Sequence, residues 1–167
     1  MGLYHIANLT PEAKELGESL IAEGAQVYVI DDAELQRVKD SYPVMWKNPD
    51  AKPKLCFIGC PHLSMEQLKD WTNRVEKGLA ASGNKKVQIP TVFTTAPAVK
   101  KAFLETEDAK RLEKMGIVLS DICPLMYMNN PLCKSMPVIT CSNKLRTYTT
   151  SRFYTEEEIL GKITGGK

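Results

Sequence analysis

The sequence predicts an α/β fold of three layers, with a mainly parallel central sheet of about five strands between two layers of helices. Short β-branched or apolar runs alternate along the chain with amphipathic helical segments, which is the pattern of parallel strands joined by crossover helices. The chain has 167 residues, 43% of them hydrophobic, which is enough to form one buried core. Residues 1–167 are therefore expected to form a single α/β domain.

The first part of the chain predicts a helix, a strand and a second helix. The first helix begins at Pro11, a residue that favours the first helical position, and ends at Gly24. The β-branched run at residues 26–30 (QVYVI) predicts the first strand. A second helix is expected over residues 33–41. A proline-rich surface loop follows it.

The rest of the chain continues the alternation. Four further strands are predicted at residues 55–59, 89–95, 117–119 and 137–140. Helices are predicted at residues 65–81, 98–104, 109–115 and 155–163. Residues 120–136 contain two prolines and two adjacent asparagines without helical or strand periodicity, so we expect a long ordered loop there.

Three polar clusters follow predicted strands. They are Cys60-Pro61-His62, Asp121-Ile122-Cys123-Pro124 and Thr140-Cys141-Ser142-Asn143-Lys144. Parallel sheets carry their chemistry at the carboxyl ends of the strands, in the loops that lead to the next helices. If the strands are neighbours, the three clusters can share one cleft.

The two Cys-Pro pairs are candidates for chemistry at a thiol. Cys60 lies close to a predicted helix N-terminus, which favours a thiolate that could act as a nucleophile or a metal ligand. A buried small apolar residue is the alternative for this position. Cys123 repeats the pattern, but the two cysteines do not have the spacing of a zinc motif. Iron–sulfur clusters can be held by thiolates that are far apart in sequence.

The other candidate site residues are polar side chains. His62 could orient a substrate, or it could be a structural hydrogen-bond donor. Ser142 and Lys144 could bind a carboxylate or phosphate, with a simple polar turn as the alternative. The phosphate-binding G-x-x-x-x-G-K and dinucleotide-binding G-x-G-x-x-G runs do not occur in the sequence.

Composition restricts the partners and the compartment. The formal net charge is +2, from 22 Lys and Arg against 20 Asp and Glu, so a nucleic acid is not an expected partner. No apolar run approaches the roughly 20 residues that span a bilayer, and the N-terminus does not have a signal-peptide pattern. An odd number of cysteines, five, argues for reduced thiols. We therefore expect a cytoplasmic protein without a membrane partner.

Taken together, four segments resemble the C-terminal part of the aconitase X large subunit. They are LCFIGCPHLSMEQL, PTVFTTAPAV, GIVLSDICP and VITCSNKLRTY, the last followed by an acidic helix. The opening stretch YHIANLTPEA is also similar to a family segment. The resemblance covers essentially the whole chain, but only about the last 40% of a full-length family member.

The resemblance implies a hydro-lyase that uses an iron–sulfur cluster, [2Fe–2S] or [4Fe–4S], as a Lewis acid. Family members dehydrate cis-3-hydroxy-L-proline or mevalonate 5-phosphate, both small hydroxylated carboxylates. By the same resemblance, Cys60 and Cys123 would hold the cluster, and Ser142 and Lys144 would belong to the substrate loop. The family's base comes from a small swivelling domain or separate small subunit, and no such base is assigned in this chain.

The sequence also departs from the family pattern. It does not contain the N-terminal half of the large subunit, so a complete site would need that part as a partner. Cys141 and Asn143 replace the usual Asn and Ala, and Cys133 and Cys141 are additional thiols that could act as ligands. The chain could be an excised domain, one piece of a split enzyme or an inactive paralogue.

Two further classes of function remain open. One is a non-catalytic α/β module that binds a small anion in its strand-end loops. The other is a thiol redox or thiol-transfer enzyme that uses Cys60.

Overall fold

The computed structural model describes residues 4–166, which divide into two compact units, one ending at Tyr42 and one beginning at Pro43. The predicted domain limits, residues 1 and 167, lie outside the described part, so a single domain over the whole chain stays a prediction. The helices between residues 4 and 166 do not have the combined length and apolar character that crossing a membrane requires.

The first unit contains two short helices and a turn. Helix α1 spans Pro11–Leu16, a 3-10 turn spans Gly17–Leu20, and helix α2 spans Asp32–Asp40. The helix predicted up to Gly24 is thus shorter, because Gly17 adopts a φ of +55° and ends α1. The second predicted helix is confirmed by α2.

Residues 26–30 do not form the predicted strand. They are exposed, belong to no helix or strand, and have no strand partner among residues 4–166. A strand is defined by hydrogen bonds to a neighbour, and this segment has the composition of a strand without the neighbour. The prediction of a strand here is therefore wrong for the described chain.

The second unit contains a five-stranded, all-parallel sheet in the order β3-β2-β1-β4-β5. Its strands are Leu55–Leu63 (β1), Thr91–Thr95 (β2), Ile117–Ser120 (β3), Val138–Thr140 (β4) and Arg152–Phe153 (β5). Helices cover both faces, so the predicted three-layer α/β/α fold is confirmed. The fifth strand of the sheet is β5, not residues 26–30 as predicted. Because β5 has only two residues, no strand pattern in the sequence could indicate it.

The helices of this unit are Met65–Ser82 (α3), Pro97–Leu104 (α4), Glu107–Lys114 (α5), Pro124–Met128 (α6), Pro131–Lys134 (α7), Asn143–Tyr148 (α8) and Glu156–Thr164 (α9). A capping box between Ser64 and Gln67 starts α3. The loop predicted at residues 120–136 instead contains α6 and α7. A proline at the first position starts each of them.

Alternation along the strands gives the sheet two apolar faces. In β1, Cys56 and Ile58 lie in the larger core cluster, which also contains buried residues of α3, α5 and α9. Phe57, between them, lies in the smaller cluster with Met128 of α6 and Leu145 of α8. A strand buried on both faces is expected to be continuously apolar, as the start of β1 is.

The end of β1 bulges. Ile58 pairs with Phe93 and Leu63 pairs with Thr95, so four residues, 59–62, stand opposite a single residue of β2. Extra residues in one strand bend it locally and re-aim its side chains. We call residues 59–62 the cysteine bulge, because Cys60 lies within it. Gly59 begins the bulge with a φ of +111°, a conformation that other residues rarely adopt.

We expect Gly59→Ala to destabilise the protein by about 3 kcal/mol, because the new Cβ would clash with the backbone oxygen of Thr94 and φ is positive. Gly161→Ala in α9 is the control: no atom lies within 4 Å of its added Cβ, and it should stabilise the helix by up to about 1 kcal/mol. Urea unfolding measures both. Equal stabilities of the two variants would contradict the assigned bulge conformation.

Candidate functional site

The three predicted clusters all lie at the carboxyl edge of the sheet. They follow β1, β3 and β4, and β1 is the central strand with β2 and β4 as its neighbours. Ser142, after β4, directly contacts the cysteine bulge. Cys123 follows β3, two strands away from β1, which corresponds to roughly 10 Å between the strand backbones.

Three buried hydroxyl groups hold the backbone in and just after the cysteine bulge. Thr94 Oγ1 donates to the carbonyl oxygen of Gly59, and Thr95 Oγ1 donates to that of Leu63 at 2.6 Å. From the other side, Ser142 Oγ donates to the carbonyl oxygen of Cys60. Irregular backbone cannot satisfy its carbonyls within the sheet, and these side chains supply the missing donors. The position of Cys60 therefore depends on β2 and on the loop after β4.

Ser142 uses most of its hydrogen-bonding capacity inside the protein. Its hydroxyl gives its one proton to Cys60 and also accepts from the backbone N–H of Leu145 at 3.0 Å, which caps α8. Its own N–H donates to Thr140 Oγ1 at 3.1 Å. One hydroxyl lone pair is left for a further donor. Lys144, in the first turn of α8, is by contrast exposed.

The two candidate thiols are each half-buried. Cys60 contacts the smaller apolar cluster of Phe57, Val138 and Leu145. Cys123 precedes α6, and its carbonyl oxygen accepts from the N–H of Met126 at 2.9 Å. Both thiols are thus partly shielded and partly accessible at the sheet edge.

His62 is exposed at the end of the bulge and lies near an ion pair. Lys100 Nζ of α4 contacts Asp121 Oδ1 of the β3 loop at 2.7 Å. The Lys100 ammonium, a backbone N–H and the nearby His62 all lower the pKa of Asp121. Lys100 had no signal in the sequence, because a lysine on a helix is usually a solvated side chain. Thr94 and Thr95 had none either, since their hydroxyls become significant only once the bulge forms.

The other cysteines have different surroundings. Burial raises the pKa of the fully buried Cys56 thiol. Burial, together with the carboxylate of Glu156, raises the pKa of Cys141 to about 11. Cys133 is half-buried against the smaller apolar cluster. Thiolates are the ligands that metals take, so Cys56 and Cys141 are disfavoured as ligands relative to an ordinary thiol.

No group of three or more His, Cys, Asp or Glu side chains that could hold a metal ion occurs within residues 4–166. A metal site built on Cys60 or Cys123 would therefore need donors from beyond the described chain.

Comparison with known proteins decides the family. The model of the aconitase X third domain matches residues 53–161, well over half of the chain. The chain belongs to the aconitase X family. A search of curated proteins found no match.

A solved structure of aconitase X from Thermococcus kodakaraensis, in its holo form, has the same fold. It superposes with a TM-score of 0.65 at 20% sequence identity, over 87% of the present chain and 37% of that chain. The present aconitase X chain thus spans less than half the length of this relative.

The thiols fit part of an iron–sulfur ligand set. Such clusters are held by cysteine thiolates, and two half-buried thiols lie here on one sheet edge. A full set of ligands is not assembled by residues 4–166. The donor chemistry of these two thiols is compatible with part of such a ligand set.

The anchoring of the bulge can be tested with Thr94→Val, which keeps the side-chain shape but leaves the Gly59 carbonyl without its donor. We expect a loss of about 1–3 kcal/mol in unfolding free energy. Thr147→Val is the matched control, because its hydroxyl also donates to a carbonyl, that of Asn143, but is exposed on α8. This control should change stability by less than about 0.5 kcal/mol. Equal losses would show that burial of the Thr94 hydroxyl has no special role.

The raised pKa of Cys141 predicts its reactivity with pH. A thiol with a pKa of about 11 is protonated throughout the neutral range, so its thiolate fraction grows about tenfold per pH unit. We expect the rate of iodoacetamide alkylation of Cys141, measured by peptide mass spectrometry, to rise about tenfold per pH unit between pH 8 and pH 10, which is about a hundredfold in all. A plateau below pH 9 would contradict the raised pKa.

Proposed function

We propose that this chain is part of an aconitase-like hydro-lyase that removes water from a small hydroxylated carboxylate. The observation that carries the proposal is the shared sheet edge: two half-buried thiols and an exposed lysine follow neighbouring or next-neighbouring strands in a chain of the aconitase X family. The chain spans 37% of the solved aconitase X relative, so the reaction is proposed for an assembly or a longer protein that includes the remaining parts.

Cys60 and Cys123 are proposed as ligands of an iron–sulfur cluster, [2Fe–2S] or [4Fe–4S]. When bound, such a cluster supplies a Lewis-acidic iron for a hydroxyl leaving group. The chain's own contribution is to hold two thiols at fixed places. The hydroxyl of Ser142 fixes the backbone of Cys60, and Pro124 fixes the start of the helix after Cys123.

Lys144 and Ser142 are proposed to bind the anionic end of the substrate. The Lys144 ammonium provides charge-assisted hydrogen bonds to a carboxylate or phosphate. Ser142 lies two residues before it and ties this loop to Cys60, so the anion would be held close to the cluster ligand. His62, exposed at the end of the same bulge, is proposed to orient the substrate.

Three partners complete the proposal. The N-terminal part of an aconitase X large subunit would add the remaining cluster and substrate contacts. A small swivelling subunit would supply the base that removes the proton next to the hydroxyl. The substrate is a small hydroxy acid of the 3-hydroxyproline or mevalonate-phosphate kind. The five free thiols are in keeping with a reducing compartment, the cytoplasm.

The cluster ligands are tested by iron and sulfide analysis of the protein reconstituted anaerobically with its partner polypeptides. Cys60→Ser and Cys123→Ser should each lose most of the iron, because each removes a thiolate ligand. Cys133→Ser, which changes another half-buried thiol, should keep it. Iron unchanged in the first two variants would refute the assignment. An iron-free chain that binds small anions would support the non-catalytic anion-binding module instead.

Lys144→Gln should raise the KM for the hydroxy acid by about 10–100-fold, because a charged hydrogen bond to the substrate anion is lost. Lys134→Gln, an exposed lysine of α7, is the control and should leave KM unchanged. Water elimination from cis-3-hydroxy-L-proline and from mevalonate 5-phosphate, assayed with the assembled protein, provides the measurement. An unchanged KM in the Lys144 variant for the active substrate would rule out its anion-binding role.

A further inference from the structure

A cavity of about 410 Å³ lies within the second unit, away from the cysteine bulge. Its lining includes three segments that each lead into a strand: residues 45–47 precede β1, residues 135–136 precede β4, and Thr150 precedes β5. Because the strands are parallel, the segments before them lie at the amino edge of the sheet. The three polar clusters follow strands and lie at the carboxyl edge. The cavity is therefore separate from the site proposed for the cluster.

Contacts with the sheet hold the loop that carries Trp46, one wall of this cavity. The guanidinium of Arg152, the first residue of β5, lies over the Trp46 ring at 5.6 Å from its centroid. The same side chain donates from Nη1 to the carbonyl oxygen of Pro49 at 3.2 Å. At the end of the loop, the N–H of Lys54 donates to the carbonyl oxygen of Pro137, just before β4, at 2.9 Å. This wall is thus fixed by the protein itself, as is usual for small-molecule sites.

The indole of Trp46 has a hydrogen-bond donor that the protein does not use. Trp46 is only 7% exposed, and its Nε1 is the one buried side-chain nitrogen or oxygen without a hydrogen-bond partner among residues 4–166. Buried tryptophans usually find an acceptor for this N–H, and leaving a buried donor unpaired costs about 1–3 kcal/mol. Because Trp46 lines the cavity, an acceptor carried by a ligand would remove this cost.

The rest of the lining combines positive charge with apolar surface. Lys47 is exposed and lines the cavity next to Trp46, so its ammonium can meet an anion there. Met45, Pro131 and Met136 supply apolar surface, and methionine sulfur packs favourably against aromatic rings. Cavities of about 300–1,000 Å³ with mostly apolar walls and a few polar groups are typical of small-molecule sites.

We propose that this cavity binds a small aromatic carboxylate. One carboxylate oxygen accepts from the Trp46 indole N–H and the other from the Lys47 ammonium, while the aromatic ring packs against Met45 and Met136. An anion is favoured over a neutral acceptor because hydrogen bonds to ionised groups are roughly twice as strong as those between neutral groups. The binding needs neither iron nor a second polypeptide, so it stands or falls independently of the proposed dehydration.

The inference is tested by titrating the complete ¹⁵N-labelled chain with 2-naphthoate and following the indole N–H signals by NMR. The chain contains two tryptophans, and Trp46→Phe assigns their signals by removing one of them. We expect the indole proton of Trp46 to move downfield and to saturate with one naphthoate per chain, because it gains an acceptor. The indole signal of Trp71, which does not line the cavity, should stay in place.

The two polar contacts are tested by calorimetry with 2-naphthoate. Trp46→Phe, which keeps an aromatic ring but removes the N–H, and Lys47→Gln, which removes the charge, should each weaken binding about tenfold. Lys52→Gln is the control, because it changes an exposed lysine of the same loop outside the cavity lining, and it should leave the affinity unchanged. Since Lys47 is on the surface, its variant tests the site independently of any effect of Trp46→Phe on folding.

Two further compounds separate the roles of the charge and the ring. 2-Naphthylmethanol, which has the ring without the charge, should bind at least about tenfold more weakly than 2-naphthoate. Acetate, which has the charge without the ring, should not shift the Trp46 signal at the same concentration. A Trp46 signal that 2-naphthoate leaves in place would overturn the inference. Equal affinities of the Lys47→Gln and Lys52→Gln variants, or of the two naphthalene compounds, would also overturn it.

Discussion

The candidate site depends on one local constraint: the extra residues at the end of β1 must be accommodated in the middle of a parallel sheet. Three buried hydroxyls, those of Thr94, Thr95 and Ser142, donate to carbonyl oxygens in and just after the bulge. They come from both sides of β1, so the bulge is held by two neighbouring elements. The central strand can therefore end in an irregular loop that displays Cys60 without exposing the core below it.

Most of the fold was predictable because its signals are local. Continuous apolar runs gave β1 to β4, and a serine with a glutamine three residues later gave the start of α3. The strand at residues 26–30 was predicted from the same kind of signal and does not form, because pairing is not a local property. Hydrophobic periodicity did not predict the shortest elements, α6, α7, α8 and β5. The three helices span about two turns or fewer and β5 has two residues, which is too short for a periodic pattern.

The site was predictable in its location but not in its construction. Parallel topology alone places Cys60, Cys123 and Ser142 at one edge. What the sequence could not show is that the Ser142 hydroxyl is already bonded to the Cys60 backbone, or that Lys100 pairs with Asp121. Such contacts depend on the strand order and on the bulge, which bring together residues 82 and 21 positions apart.

The most direct test of this account is X-ray absorption at the iron edge of the assembled protein, with Cys60 and Cys123 replaced in turn by selenocysteine. Selenium and sulfur scatter differently, so a ligand at either position is identified by its own signal. We predict an iron–selenium scattering path in each protein. Iron surrounded by sulfur alone, or assembled protein that takes up no iron, would contradict the account.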